Sequence, residues 1–111
     1  MKYMFNYCIS LKELNLQSFD TSNVNNMENM FCHTQSILLL NLFNFDTSSV
    51  TTMSNMFNGL ISLFYINLIS FNEKDDVNID NIFLDTSNNL TYCIDENKSS
   101  KLIIYLNQKN L

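Results

Sequence analysis

The sequence contains one glycine among 111 residues, and its six basic residues are all lysines. Phosphate-binding loops use several glycines to bring backbone N–H groups close to the phosphate, so a single glycine argues against a nucleotide cradle. Eleven acidic residues against the six lysines give a net charge of -5 and leave no basic surface that could neutralise nucleic-acid phosphates. We therefore expect no phosphate-binding loop and no nucleic-acid partner.

Long apolar runs are also missing. The longest, residues 37–40 and 102–106, fall far short of the roughly 20 residues that a membrane-spanning helix needs. The first residues include one lysine, but Asn6, Ser10 and Lys12 interrupt any apolar core of a secretory signal. We expect no membrane span, signal peptide or anchor in this chain, and the residues alone leave its localisation open.

Cysteines are few and widely separated. Cys8, Cys32 and Cys93 share no close spacing of the kind that marks a disulfide framework or a zinc site. A disulfide framework is therefore not expected, although one internal pair stays open because pairing depends on geometry.

What the sequence does contain is a repeat of twenty-six residues. Three consecutive stretches are variants of one another: MFNYCISLKELNLQSFDTSNVNNMEN, MFCHTQSILLLNLFNFDTSSVTTMSN and MFNGLISLFYINLISFNEKDDVNIDN. A fourth begins IFLDTSNNLTYCI and then breaks off. We divide the chain into units at residues 4–29, 30–55, 56–81 and a degenerate 82–97, followed by a C-terminal cap at residues 98–111. A fixed period of this length is typical of a solenoid, in which no unit can bury its apolar face alone.

Each unit combines two apolar periods. Pairs such as Leu14 and Leu16 lie two residues apart, as on one face of a strand. Residues 24–31 and 50–57 carry apolar side chains at helical spacing, which predicts a short helix or 3₁₀ segment. Thr21-Ser22 and Thr47-Ser48 precede these segments as expected N-caps, with Asp20 and Asp46 adding favourable negative charge. The third unit loses this cap, so we expect it to be distorted near residues 73–76.

Several packing expectations follow from the repeat. A spine of stacked rings is predicted at Phe19, Phe45 and Phe71, which recur just after each strand. The N-terminal end should be open and apolar, which favours either a fragment of a longer array or self-association. At the other end, Ser99 or Ser100 could cap a helix carrying apolar residues at 102, 103 and 106, and a final strand is the alternative.

These residues carry a resemblance to a known family. The strings MFNYCISLKELNLQSFDTSNVNNMENMF and NLFNFDTSSVTTMSNMF resemble the BspA-like leucine-rich repeats, a repeat of the same length in surface proteins of bacteria and protists. The resemblance covers roughly residues 4–83 and includes the period, the F-D-T-S-x-V block and the M-F pair. It implies an α/β right-handed leucine-rich-repeat solenoid with short parallel strands and short helices, about 3.5 to 4 repeats long. It also implies a cell-surface or secreted location and, for some members, adhesion, but no catalytic residues.

The candidate binding site lies on the exposed face of the predicted strands. Side chains between the inward leucines should form rows along that face, and we predict a protein-binding patch made of Leu39, Asn41, Phe43, Tyr65, Asn67 and Ile69. The alternative is purely structural: a ladder of stacked asparagine amides, with the apolar residues covered by a neighbouring chain or cap.

Catalytic and metal chemistry have weaker support in the residues. Cys32 and His33 are adjacent and could form a thiol or metal site, but the repeat places Tyr7 and Gly59 at the position of His33, which favours a turn. The acidic stretch at residues 73–76 with Asp80 could bind calcium, yet it lacks the glycine and spacing of an EF-hand loop. We predict a protein-interaction module without cofactor, metal or enzymatic activity. The main alternative is a structural remnant of a longer array.

Overall fold

The computed structural model describes residues 1–109 and contains three parallel strands and one helix. The strands are β1 (Leu39–Asn41), β2 (Tyr65–Leu68) and β3 (Thr91–Ile94), in the order β1-β2-β3 within one sheet, and the helix is α1 (Ser100–Lys109). Within the described residues, no helix is both long and apolar enough to cross a membrane. The fold is thus a small α/β arrangement around one sheet.

The sheet follows the twenty-six-residue register. Leu40 pairs with Ile66, and Ile66 pairs with Tyr92, so equivalent residues of successive units lie side by side. The strand predicted around Leu14 is wrong, because residues 13–15 form no strand.

A second hydrogen-bonded layer consists of four segments that we call the turn segments: residues 1–7, 27–33, 53–59 and 79–85. Alternate residues of each segment donate their N–H to the segment that follows. The central bonds run from Phe5 to the carbonyl of Met30 (2.8 Å), from Phe31 to Met56 (3.0 Å) and from Phe57 to Ile82 (2.9 Å). These bonds impose the same register as the sheet on the opposite part of each unit.

The turn segments replace the short helix or 3₁₀ segment predicted at residues 24–31 and 50–57, and that prediction is wrong because neither element forms there. The backbone there makes successive turns, with Asn29 at φ 56° and His33 at φ 58° in the first of them. A left-handed residue at every fourth position prevents a helix from continuing. Alternate N–H groups, those of Asn29, Phe31 and His33, bond to the neighbouring unit, and the N–H groups between them bond three residues back within the segment.

A column of aromatic rings fills the interior beside the turn segments. Successive ring centroids lie 5.5 Å apart between Phe5 and Phe31, 5.9 Å between Phe31 and Phe57, and 5.2 Å between Phe57 and Phe83, all nearly parallel. The spine predicted at residues 19, 45 and 71 is therefore misplaced. Phe45 and Phe71 are fully buried, but the stacked rings belong to the M-F pair of each unit.

Buried threonines join the units where N-caps were predicted. The hydroxyl of Thr21 donates to the carbonyl of Asp46 (3.0 Å) and accepts from the N–H of the same residue (2.8 Å). Thr47 makes the same pair of bonds with Asn72, at 3.1 and 2.8 Å. Because no helix begins here, the N-cap prediction is wrong. These hydroxyls instead satisfy backbone groups of the next unit, as buried polar atoms require.

Helix α1 closes the C-terminal side, as the capping pattern predicted, and the alternative of a final strand is not observed. Leu102 and Leu106 point into the core and are buried. The predicted serine cap is wrong, since the buried hydroxyl of Ser99 donates to the carbonyl of Phe71 (2.9 Å).

The N-terminus of α1 is capped by the side chain of Glu73. One carboxylate oxygen accepts the N–H of Lys101 (2.6 Å) and the other accepts the N–H of Leu102 (3.1 Å). In the repeat, Glu73 occupies the position of Thr21 and Thr47. In the first two units this position is a threonine, and the backbone next to it belongs to another unit. In the third unit it is Glu73, and the backbone next to it is the start of α1, whose unpaired N–H groups favour a carboxylate. The distortion predicted near residues 73–76 coincides with this contact.

Gly59 provides a test of the turn segments. It has φ 79°, and a Cβ atom added there would overlap the imidazole of His33, whose other side lies against Tyr7 at 4.8 Å. A side chain in the left-handed region costs roughly 1–2 kcal/mol, before any overlap. We expect Gly59→Ala to lower the free energy of unfolding, measured in urea, by at least this amount. In a His33→Ala background the loss should shrink, and an equal loss in both backgrounds would disprove the overlap.

Glu73 provides a second test. Removing a side chain that caps a helix N-terminus typically costs about 1 kcal/mol. We therefore expect Glu73→Ala to lower the free energy of unfolding by about this amount in urea denaturation. The matched control is Asp76→Ala, an exposed carboxylate of the same loop. Equal effects of the two substitutions would contradict the capping role, because general charge would then explain them.

Candidate functional site

The six predicted site residues lie on β1, β2 and the turns that follow these strands. Register pairs Leu39 with Tyr65 and Asn41 with Asn67, as the repeat predicted. The side chains of Leu39, Phe43 and Ile69 are 50%, 45% and 41% exposed. Tyr65 and Asn67 are partly exposed and Asn41 is exposed. We call these six residues the strand face.

The asparagines of the strand face do not form the amide ladder considered as the structural alternative. The Oδ1 atom of Asn41 accepts the N–H of Phe43 (3.3 Å), and that of Asn67 accepts the N–H of Ile69 (3.0 Å). Asn15 makes the equivalent bond to Gln17 (3.0 Å). Each amide therefore fixes the turn after its own strand, as asparagine commonly does. This turn sets the backbone position of Phe43 and Ile69.

The structure adds two apolar residues that the sequence argument missed. Leu38 and Phe64 immediately precede β1 and β2, and both are exposed. The N–H of Phe64 donates to the carbonyl of Leu38 (2.9 Å), which holds their backbones together. The sequence contained a signal for them, because the equivalent position of the first unit is the charged Lys12. A position that accepts lysine in one unit is solvent-facing in the others.

A recess borders the strand face on the side of the first unit. It has a volume of about 340 Å³ and is lined by Glu13, Leu14, Asn15 and Leu39. It lies where residues 13–15 and β1 are neighbours but form no sheet. The strand face is thus continuous with a concave site that has one carboxylate at its margin.

Cys32 and His33 lie in the second turn segment. Cys32 is buried, and this burial raises the pKa of its thiol. A raised pKa keeps the thiol protonated, whereas a nucleophilic or metal-binding cysteine needs the thiolate. The imidazole of His33 packs between Tyr7 and Gly59. Its geometry is that of a packing residue at a left-handed turn.

The acidic stretch at residues 73–76 contributes to the packing of α1. Glu73 caps the helix, and the ammonium group of Lys101 donates to the backbone carbonyl of Asp75. Among residues 1–109, no group of three or more histidine, cysteine, aspartate or glutamate side chains is arranged to hold a metal ion. The calcium hypothesis for this stretch therefore gains no geometric support.

Two aspartates at equivalent positions have shifted pKa values. The Ser48 hydroxyl donates to the Asp46 carboxylate at 2.6 Å and the Ser48 N–H at 2.9 Å, and these bonds lower the pKa of Asp46. Ser22 bonds in the same way to Asp20 and lowers its pKa. Both carboxylates are therefore charged at neutral pH, and their bonds to the serine two residues later stabilise the turn after the strand layer in these two units.

The chain belongs to the family described as Mycoplasma protein of unknown function, DUF285, which it matches over residues 1–102. Searches among curated proteins and among solved structures found no match to this chain. The family match includes all three strands and reaches the first turn of α1. The repeat and the beginning of the helix that caps it are thus part of one family pattern.

The pKa of Asp46 supplies a test of the turn that Asp46 and Ser48 form. Ser48→Ala removes the hydroxyl bond that contributes most to the shift, so the pKa of Asp46 should rise toward its ordinary value. Because the folded-state pKa is lowered, the stabilisation is present above the unfolded pKa and is lost as the pH falls through the folded value. Carboxyl NMR titration of Asp46 measures the shift. Ser22→Ala is the control and should move chiefly Asp20; an unchanged Asp46 in Ser48→Ala would refute the assignment.

Proposed function

We propose that this chain is a protein-interaction module, a right-handed leucine-rich-repeat solenoid of the BspA-like kind, which binds a protein partner through the strand face. Three parts of the structure share the same register of twenty-six residues, and this shared register supports the solenoid interpretation. The sheet, the turn segments and the aromatic column each align equivalent residues of successive units. The resemblance to the BspA-like repeats supports a surface or secreted location and a role in adhesion.

One observation carries the binding proposal: the exposure of large apolar side chains in register on neighbouring strands. Leu39, Phe43 and Ile69 keep 41–50% of their surface exposed although each is next to a buried leucine in the chain. Contiguous apolar exposure of this kind marks interaction surfaces, because water around it is released when a partner covers it. Tyr65 adds an aromatic ring with a polar tip, and tyrosine is one of the residue types enriched in binding hot spots.

The surroundings of the strand face suggest the chemistry of the partner. The asparagine oxygens are engaged within their own turns, so the outward face offers apolar surface with few free acceptors. Glu13 lines the recess at one margin, and Asp95 follows β3 at the other end of the sheet. A protein surface with an apolar centre and basic residues at its rim fits this pattern.

The rival functions have less support. A thiol or metal site at Cys32 and His33 would need a thiolate, whereas burial raises the pKa of Cys32. We accordingly propose a binding role without catalysis.

The experiment replaces the two aromatic residues of the strand face. A photo-crosslinking residue at position 39 first identifies a partner, which is then purified and titrated by calorimetry. The double variant Phe43→Ser, Tyr65→Ser should weaken binding by at least about 30-fold, because hot-spot aromatics contribute about 2 kcal/mol or more. Its circular dichroism should match that of the wild type, since both side chains are largely on the surface.

The control is Ile61→Ser, which removes a large exposed apolar side chain outside the strand face. It should leave the affinity unchanged. Unaltered affinity in the double variant, or equal losses in both variants, would rule out the strand face as the contact surface.

A further inference from the structure

The edge of β1 that faces the first unit has no hydrogen-bonded neighbour. Between β1 and β2, the N–H of Leu42 donates to the carbonyl of Asn67 (3.1 Å). The equivalent bond between the first two units would run from the N–H of Leu16 to the carbonyl of Asn41, and it does not form in the described structure. The sheet therefore ends at β1, although a unit with the same spacing precedes it.

Leu39 and Asn41 carry the unpaired backbone groups of this edge. Each residue of a parallel strand directs its N–H and its carbonyl to the same side, and successive residues alternate between the two sides. Because the N–H of Leu42 points to β2, the groups of Leu39 and Asn41 point to the first unit. Among residues 1–109, these two N–H and two carbonyl groups have no partner.

The space beside this edge is fixed at both of its ends. On one side, the hydroxyl of Ser36 donates to the carbonyl of Ile9 (2.6 Å), and on the other the side-chain amide of Asn44 donates to the carbonyl of Leu16 (3.0 Å). Between these contacts, residues 10–15 make no backbone bond to β1 in the described structure, and the recess of about 340 Å³ lies there. The recess is therefore an internal gap between two units that are bonded to each other.

The walls of the recess are mainly apolar. Leu14 is only half-buried, whereas its equivalents Leu40 and Ile66 are buried. On the opposite wall, Leu39 is exposed. An extended segment in the recess would direct alternate side chains toward these two leucines, and apolar side chains suit both positions.

Glu13 gives the recess a charge preference. Its side chain is exposed at the margin. Among residues 1–109 it forms no ion pair, since the pair that is present joins Lys2 to Glu28. A lysine or arginine of a bound segment would complement this carboxylate. Exposed ion pairs contribute little binding energy, so the contact would select a segment more than hold it.

We propose that the free edge of β1 is a site of β-strand addition, at which an extended segment of the protein partner enters the recess and pairs with the backbone of Leu39 and Asn41. The segment has alternating apolar residues and one basic residue beside Glu13. In this mode of recognition, main-chain hydrogen bonds provide affinity and alternate side chains provide specificity. The proposal rests on the proposed function, because it names how the partner of the strand face is held.

Amide hydrogen exchange, measured by NMR, tests the free edge without a ligand. The N–H groups of Leu39 and Asn41 should exchange at least about 10-fold faster than that of Asn67, because unpaired amides open without breaking a bond. Asn67 is the matched control, since it is the equivalent of Asn41 and pairs with β1. Slow exchange at Leu39 in the free protein would mean that residues 13–15 or a second copy already cover the edge, and would overturn the proposal.

The ligand test uses an acetylated heptapeptide of alternating valine and threonine with one central lysine. Added peptide should slow the exchange of Leu39 and Asn41. The same peptide with glutamine in place of lysine should bind about 3-fold more weakly, as expected for loss of an exposed ion pair. In Glu13→Gln the two peptides should bind equally. A preference for lysine that persists in Glu13→Gln would overturn the assigned position of the basic residue.

A proline substitution tests the backbone pairing. Leu39→Pro removes an N–H of the free edge and no bond to β2, and proline is tolerated on edge strands. It should weaken peptide binding at least about 10-fold, since a strand that lacks this donor and carries a ring at its edge cannot pair. Leu39→Ala is the matched control, because it loses the same side chain and keeps the N–H. Equal losses in the two variants would overturn strand addition.

A peptide whose valines are N-methylated carries the same test on the wild-type protein if Leu39→Pro does not fold. It cannot donate to the edge and should not bind, so binding equal to that of the unmethylated peptide would overturn the proposal. Failure of the unmethylated peptide to protect Leu39 would overturn strand addition alone. The strand face is decided separately, by the affinity of the purified partner for the variant Phe43→Ser, Tyr65→Ser.

Discussion

The register of backbone hydrogen bonds between successive turn segments is the constraint on which the rest of the structure depends. It aligns residues of one kind above one another, so that the phenylalanines of the M-F pair become neighbours at 5.2 to 5.9 Å. The same alignment brings Thr21 and Thr47 to the backbone of the following unit. A shift by a single residue would separate every column at once, which explains the constant period of the chain.

Several interior hydroxyl groups find their hydrogen-bond partners in neighbouring units through this alignment. Thr34 donates from a fully buried position to the carbonyl of Phe5 (2.8 Å), and Ser70 donates to the carbonyls of Leu42 and Phe45 (3.0 and 2.7 Å). Each bond joins residues of neighbouring units. Burying a hydroxyl without a hydrogen-bond partner is costly. These side chains therefore stabilise the stacking of units that brings their partners into reach.

Function follows from what the register leaves uncovered. Along the sheet it aligns outward side chains into the strand face, with Leu39 beside Tyr65. The proposed partner surface is therefore a consequence of one periodic backbone and not a separate addition to it.

The sequence determined the period, the inward positions such as Leu40 and Ile66 and the outward position of Leu39, because apolar spacing reports directly on burial. It also favoured a helix over a strand for the segment that became α1. Tertiary structure decided the conformation of residues 24–31, whose N–H groups could bond either within a helix or to the neighbouring unit. It also decided which phenylalanines stack, that residues 13–15 form no strand, and that Glu73 caps α1. In each of these cases the outcome depends on a hydrogen-bond or packing partner in another unit, and local spacing is the same whichever partner is chosen.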